Sequence, residues 1–340
     1  MPSTGSIDQS MISLAGRFSG GLLGPDDEGY ETARKVHNGL VDKRPALIAR
    51  CRTTTDVVSA LSLARENGLE ISVRGGGHNV SGRAVTDGGL MIDLSLMKAI
   101  SVDPVARTAR AEAGVTWHEL NDATAEEGLA TTGGVISTTG IAGLTLGGGL
   151  GWLMGKHGLA ADNLISVEVV TARGDVLTAS AQEHPDLFWA IRGGGGNFGI
   201  VTNFEFQLHP VGPGVLSGLI TFPFNEAKSV LTQFARFTET MPEELNVWMV
   251  TRKAPPLPFL PAEVHGKEIV VLALCYVGEP AMGEKLIEPL RKFGTVLGEH
   301  VGVQPFVVGF GGLTRSQRRL FDSRESGRSS KRAGEPTHSG

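Results

Sequence analysis

The 340-residue chain has little of what marks extracellular, metal-binding or nucleic-acid-binding proteins. It contains two cysteines, Cys51 and Cys275, which lie far apart without metal-ligand spacing, so we expect two buried, reduced thiols and no metal site. Acidic residues outnumber basic ones, and the net charge of −5 provides no general attraction to nucleic acid or an anionic membrane.

Long apolar segments are also missing. The longest apolar run, Ile269–Val277, is far shorter than the roughly 20 residues needed to span a bilayer. The N-terminus lacks the basic and then apolar pattern of a signal peptide. The sequence therefore predicts a cytoplasmic protein without a membrane partner, and it does not indicate an oligomeric state.

Glycine, by contrast, is abundant: the 47 glycines are nearly twice the usual share of about 7%. Residues 194–199 match the dinucleotide pattern GxGxxG, but they follow a predicted helix and precede a strand, the reverse of the order that a Rossmann fold requires. Gly155-Lys156 lacks the flanking residues of a P-loop. Both familiar nucleotide-loop types are therefore excluded.

Two other glycine-rich segments have a better context. In "SVRGGGHNVSG" (72–82), a predicted strand leads to Arg74 and four successive N–H groups, Gly75 to His78, which can form a nest for a diphosphate. Taken alone, the loop also fits a tight turn with a solvent-facing histidine. Residues 131–152 are small, glycine-rich and too apolar for a linker, so we expect their backbone to press against a large flat ligand. Together the two segments favour a bound cofactor.

Periodicity divides the chain into four parts. After an N-terminal segment (1–44), residues 45–211 predict an α+β domain whose connections are too short for a regular parallel crossover sheet, with a first helix capped by Thr54 or Thr55. The turn at 212–214 begins a partial domain (212–310) with the order β-α-β-β-α-β, typical of an antiparallel sheet backed by helices. Its proline-rich loop, 253–264, can line a pocket. Residues 311–340 predict a disordered basic tail.

Three motifs carry a specific resemblance: "RGGGHNVSG", "GGVISTTGIAGLTLGGGLGWLMGKHGLAADNL" and "LFWAIRGGGGNFGIVTNFEFQL". In this order they resemble the FAD-linked oxidases of the berberine bridge enzyme type, in the p-cresol methylhydroxylase/vanillyl-alcohol oxidase superfamily. The resemblance runs from about Pro45 to Pro210. It implies an α+β fold with a two-lobed FAD-binding domain, followed here by a partial antiparallel-sheet substrate domain.

The resemblance also implies the cofactor site. His78 would be joined covalently to the 8α-methyl group of FAD. Ile136 stands where many members carry a second, cysteine link, and Leu144 stands where a family histidine lies near the flavin edge. The other implied cofactor residues are Arg74, Gly75, Gly76 and Gly77 at the diphosphate, Asn79 and Ser81 beside the cofactor, Thr139, Gly140 and Gly143 at the flavin, and Asn163 and Val201 near the ribose and adenine.

The implied activity is oxidation of a small organic substrate by hydride transfer to covalently bound flavin, with O₂ as acceptor, an oxidase rather than a dehydrogenase. An imidazole on the 8α carbon should raise the flavin's reduction potential. The alternative is a truncated FAD-binding protein with little activity, because family members are longer and their catalytic base usually comes from the C-terminal part. Tyr276 has no assigned role, His157 is interpreted as structural, and His118 as a surface residue.

Overall fold

The computed structural model describes residues 18–212 and 214–306. Pro213, in the predicted boundary turn, and the predicted basic tail 311–340 lie outside the described residues. The limits proposed for the four parts of the chain stay a prediction.

The first sheet has the strand order β1-β2-β4-β3, with β1 at Gly21–Leu23, β2 at Leu47–Arg50, β3 at Ile71–Arg74 and β4 at Leu90–Asp93. Contrary to the expectation of short connections, β4 pairs in parallel with both β2 and β3. The helix Thr54–Glu66 fits between β2 and β3, which gives that connection the length that a parallel arrangement needs. All four residues of β4 are buried, since this central strand is covered on both faces.

The helix Thr54–Glu66 is capped by Thr53, so the prediction of Thr54 or Thr55 as the cap was wrong. The Thr53 hydroxyl accepts the N–H of Asp56, and the Asp56 carboxylate accepts the N–H of Thr53. This reciprocal pair needs an acidic residue three positions after the cap, which only Thr53 has among the three threonines. The neighbouring Thr54 hydroxyl donates instead to Glu168, 2.6 Å away.

The second sheet is antiparallel with the order β5-β6-β10-β8-β9. Its strands are β5 (Ile100–Asp103), β6 (Thr108–Glu112), β8 (Leu164–Val170), β9 (Val176–Ser180) and β10 (Ile200–Gln207). β8 and β9 form an antiparallel hairpin. A two-residue pair joins β7 (Leu129–Ala130) to β11 (His209–Pro210). Besides Thr54–Glu66, the α-helices that the structure describes before residue 212 are Tyr30–Ala33, Trp117–Ala125, Ile141–Leu146, Met154–His157 and Pro185–Gly194.

The third large sheet is antiparallel with the order β13-β14-β12-β15, formed by β12 (Val215–Pro223), β13 (Leu245–Lys253), β14 (Glu268–Tyr276) and β15 (Gly298–Gln304). The helices Ala227–Thr238 and Pro280–Ile287 pack on one face around Phe222, Val230 and Leu272. The predicted β-α-β-β-α-β order is confirmed. The first of these helices begins after Glu226.

The face of this sheet that carries no helix meets the preceding domain. The Trp248 ring stacks on Trp152 with centroids 4.9 Å apart, and the Asn246 side-chain amide donates to the Trp152 carbonyl at 2.8 Å. Lys156 forms a 3.4 Å ion pair with Glu244. The end of the second glycine-rich segment therefore contacts the sheet. Within the described ranges, none of the helices combines the length and apolar character of a membrane span.

Candidate cofactor site

The two glycine-rich loops contact each other backbone to backbone. A Cβ atom built on Gly76 would lie 2.6 Å from the Gly140 Cα and closer still to the Gly140 nitrogen. A Cβ on Gly140 would meet Gly76 in the same way, at 2.8 Å from its Cα. The sequence predicts a diphosphate beside Gly76, whereas the nearest neighbour of Gly76 in the structure is the other loop. Neither position has room for a side chain.

The first loop presents a row of free donors. In the described part of the chain, no acceptor pairs with the backbone N–H groups of Gly75, Gly76, Gly77 or His78. Gly77 has a φ of +70°, and its carbonyl turns away to accept the His37 N–H at 3.0 Å. Successive unpaired N–H groups around a left-handed residue form a concave anion site. The geometry supports the diphosphate nest predicted from the sequence.

Arg74 supports this loop from behind. Its guanidinium donates to both carboxylate oxygens of the fully buried Asp93, at 2.7 and 3.1 Å. It also donates to the carbonyls of Ala33 and Lys35, at 2.6 and 3.0 Å. These bonds commit the guanidinium within the protein, so the part of Arg74 in a diphosphate site would be to hold the loop in place.

His78 is half-buried between two hydroxyl groups. Its Nε2 lies 3.1 Å from the Thr138 Oγ1, and its Nδ1 lies 3.3 Å from the Thr139 Oγ1. The ring stacks on exposed His37 with a centroid distance of 4.0 Å and an interplanar angle of 13°. Burial, and next the neighbouring His37, lower the pKa of His78 to about 4. The imidazole is therefore neutral at pH 7, with a lone pair on one ring nitrogen.

The remaining loop residues differ in how much space surrounds them. Asn79 accepts hydrogen bonds from the Ser81 hydroxyl at 2.8 Å and the Arg83 N–H at 3.1 Å, which closes an exposed turn after His78. Gly143 is exposed, and a Cβ there would meet nothing within 4 Å. The open space at Gly143 is where a flat ring system could lie against the second loop.

Asn163 and Val201 contact segments other than the first loop. The Asn163 amide donates to the carbonyls of His157 and Leu159, at 2.9 and 2.8 Å, and its oxygen lies 2.6 Å from the His209 Nε2. The turn that holds Asn163 is bonded to the second glycine-rich segment through Gly148 and Gly149. Val201 is buried in β10, opposite Val169 of β8. Their predicted place near the ribose and adenine stays a prediction.

Three further residues, His37, Thr138 and Asp93, belong to this site and were not predicted from the sequence. His37 carries no sequence signal, because it lies in an irregular exposed segment and reaches His78 only through the fold. Asp93 had a signal, since a carboxylate inside an apolar strand requires a buried cation as its partner. Tyr276, left without a role, packs on the helical face of its sheet beside Leu216, away from the domain contact. His118 is exposed, as predicted.

These residues fit an FAD molecule. A diphosphate needs clustered donors, which Gly75 to His78 provide, and a flat ring needs backbone without side chains, which the Gly140–Gly143 segment provides. The described residues contain no cluster of three or more histidine, cysteine or acidic side chains able to hold a metal ion. The clustered donors of the first loop and the bare backbone of the second suit an organic, phosphate-bearing cofactor.

Comparison with protein families supports this class. Residues 45–180 match the family model of the FAD binding domain. (R)-6-hydroxynicotine oxidase of Paenarthrobacter nicotinovorans is 36% identical over 291 residues, covering 85% of this chain and 62% of that protein. An uncharacterised FAD-linked oxidoreductase of Bacillus subtilis is 33% identical, with 86% and 63% covered. Residues 45–180 are thus similar to an FAD binding domain, and the chain spans less than two thirds of the length of these relatives.

Solved structures agree in fold. The crystal structure of 6-hydroxy-D-nicotine oxidase from Arthrobacter nicotinovorans matches with a TM-score of 0.80 at 35% identity, covering 88% of this chain and 64% of that one. Xylooligosaccharide oxidase from Myceliophthora thermophila matches with a TM-score of 0.77 at 28% identity, covering 91% and 63%. Both the resemblance to FAD-linked oxidases and the predicted α+β fold class are confirmed.

Proposed function

We propose that this chain forms the FAD-binding part and part of the substrate domain of an oxidoreductase that oxidises a small organic molecule. The observation that carries the proposal is the row of unpaired N–H groups from Gly75 to His78, which ends at a neutral, half-buried imidazole. We further propose that FAD is attached covalently through His78 alone, since Ile136 supplies no second thiol.

Each residue has a defined task in this proposal. The N–H groups of the first loop bind the diphosphate, Asn79 and Ser81 flank the cofactor, and Thr138 and Thr139 fix the orientation of the His78 ring. When bound, FAD supplies the acceptor for a hydride from a substrate C–H bond, and we propose O₂ as the final electron acceptor. The neutral state of His78 keeps a nitrogen lone pair available for the link to the 8α carbon.

The substrate does not follow from the relatives. The names of the relatives refer to 6-hydroxynicotine in one case and xylooligosaccharides in another, a nitrogen heterocycle and a sugar. The same fold therefore accommodates unlike substrates, and specificity has to be sought in side chains outside the glycine loops. The cytoplasmic location predicted from the sequence stays a prediction.

The test is to express the 340-residue chain with FAD, precipitate it with acid and record the absorbance of the redissolved pellet. We expect flavin in the pellet, and peptide mass spectrometry should find a single flavin adduct, on the peptide containing His78. A flavin adduct on a cysteine peptide, or flavin entirely in the supernatant, would contradict covalent attachment through His78. Anaerobic mixing with alcohols, sugars and phenols tests the activity. Covalent flavin that none of them bleaches would favour the alternative of an FAD-binding protein without catalysis.

A further inference from the structure

A cavity of about 130 Å³ lies on the helix-free face of the β13-β14-β12 sheet. Successive side chains of a strand point to opposite faces, and the register places Val250, Val271 and Thr221 side by side across three strands. Trp248 and Ala273 form the next row toward the FAD binding domain, where Trp248 stacks on Trp152. The cavity therefore begins one row of side chains from the contact between the two domains.

The cavity walls are apolar. Leu219, Val250 and Val271 line it from the sheet, and Pro255, Leu257 and Phe259 line it from the proline-rich loop. The Thr221 hydroxyl, also in the lining, already donates to the Gly298 carbonyl at 2.7 Å. An apolar cavity of about 150 Å³ stays dry and accepts a benzene-sized molecule. The volume here thus suits one aromatic ring, and Val250, which is 43% exposed, leaves an entrance open.

One cation completes the lining. Arg252 lies two residues beyond Val250 on β13, lines the cavity and is half-buried. Across residues 18–212 and 214–306, its guanidinium has no hydrogen bond or ion pair, whereas Arg74 and Arg291 are held by carboxylates. A guanidinium at the edge of an apolar cavity complements a carboxylate, with which it forms paired, charge-assisted hydrogen bonds.

We propose that this cavity binds a small aromatic carboxylate, with the ring between Val250, Val271 and Phe259 and the carboxylate on Arg252. A sugar is a poor occupant, because its many hydroxyl groups would be buried against hydrocarbon with few partners. The binding site is independent of the flavin, but the inference that such acids are substrates or competitors of substrate rests on the proposed function.

The test uses the full chain and benzoate as the probe, in calorimetric titrations. We expect saturable binding of benzoate with a Kd of about 1 mM or tighter. Neutral benzyl alcohol should bind at least about tenfold more weakly, because it lacks the bond between charged groups. Xylose should not bind. A folded protein without saturable benzoate binding, or one that binds xylose as well as benzoate, would overturn the proposal.

Two variants with matched controls locate the site. Arg252→Gln should weaken benzoate binding at least about tenfold and leave benzyl alcohol unchanged, while Lys253→Gln, an exposed neighbour on the other face, should change neither. Val250→Trp should fill the cavity and abolish binding of both probes, whereas Val303→Trp on the edge strand should not. Circular dichroism and thermal unfolding establish that each variant folds. Unchanged benzoate binding in folded Arg252→Gln and Val250→Trp proteins would refute the site.

Flavin content, measured on the same samples, separates the two proposals. A protein that binds benzoate but retains no FAD would contradict the proposed function and leave the cavity proposal intact. A yellow protein with acid-stable flavin that fails to bind benzoate would contradict the cavity proposal and leave the proposed function intact.

Discussion

Two pairs of stacked histidines occupy different regions of the FAD-binding half. The rings of His37 and His78 lie 4.0 Å apart at 13°, and those of His157 and His209 lie 3.8 Å apart at 10°. In both pairs, burial first and then the partner ring lower the pKa of one member, His78 or His157, to about 4. By stacking and by the lowered pKa of His78 and His157 the two regions are alike, although burial also lowers the pKa of His209.

Their hydrogen-bonding surroundings differ. His78 lies between two hydroxyl groups, at the end of a loop whose N–H groups are unpaired in the described chain. The second pair is closed: His209 meets the Asn163 oxygen, and the Asn163 amide returns to the His157 and Leu159 carbonyls. A lowered pKa alone thus does not identify a functional histidine. What distinguishes His78 from His157 is the loop beside it, whose backbone N–H groups are unpaired in the described chain.

The largest expected effect tests this distinction directly. His78→Ala should remove acid-stable flavin completely, because the ring nitrogen proposed to carry the covalent link is lost. His209→Gln, which keeps a polar partner for Asn163, should retain the wild-type amount. The measurement is flavin absorbance in the acid-precipitated pellet. Equal flavin in the two variants would show that the two histidine pairs do not differ in the proposed way.

The next effect concerns the loop itself. Gly76→Val should prevent FAD incorporation and also lower stability, since its side chain would overlap the Gly140 backbone, and such overpacking costs about 1–3 kcal/mol. Gly143→Val should leave the apo protein's stability nearly unchanged, because its Cβ meets nothing, yet it should reduce FAD content if the ring lies there. Urea unfolding and flavin content separate these effects. Normal flavin content in Gly76→Val would mean that the two loops need not touch.

A smaller effect is expected from acid on the second pair. The pKa of His157 in the folded protein, about 4, is below its ordinary value of 6.5, so the unfolded chain binds the proton first. The resulting stability is fully present above about pH 6.5 and is lost as the pH falls toward 4. His157→Phe keeps a stacking ring without this titration, and should flatten the pH dependence of the unfolding free energy between pH 7 and 4.5. His118→Phe, on an exposed helix face, serves as the control, and identical pH profiles for both variants would contradict the assignment.

The smallest effect should come from Lys156, which lies next to His157. Its charge contributes to lowering the His157 pKa, after burial and His209, and its ion pair with Glu244 is partly exposed. Lys156→Gln should therefore raise the His157 pKa slightly and change stability by less than about 1 kcal/mol. NMR titration of the ring protons measures the first and urea unfolding the second. A lower His157 pKa in the variant would contradict this order of causes.

The sequence was sufficient for features that depend on local patterns. Glycine clusters beside His78 predicted the cofactor loops, and alternating apolar residues predicted the β12–β15 sheet with its helices. It did not reveal features that depend on tertiary contact. The Gly76–Gly140 contact and the His37–His78 stack join distant segments, and neither partner carries a periodic signal. The cap at Thr53 was missed because three successive threonines look alike until the position of Asp56 is considered.

The contact between Gly76 and Gly140 also has a consequence for the order of assembly. It brings together parts of the chain that are separated by β4, β5, β6, the helix Trp117–Ala125 and β7, so closing it carries the entropy cost of a long loop. During synthesis the first glycine-rich loop leaves the ribosome well before the second. It therefore cannot complete the cofactor site on its own. FAD should therefore bind only after the two glycine-rich loops have come into contact. FAD binding is then a late step of maturation and not a template for early folding.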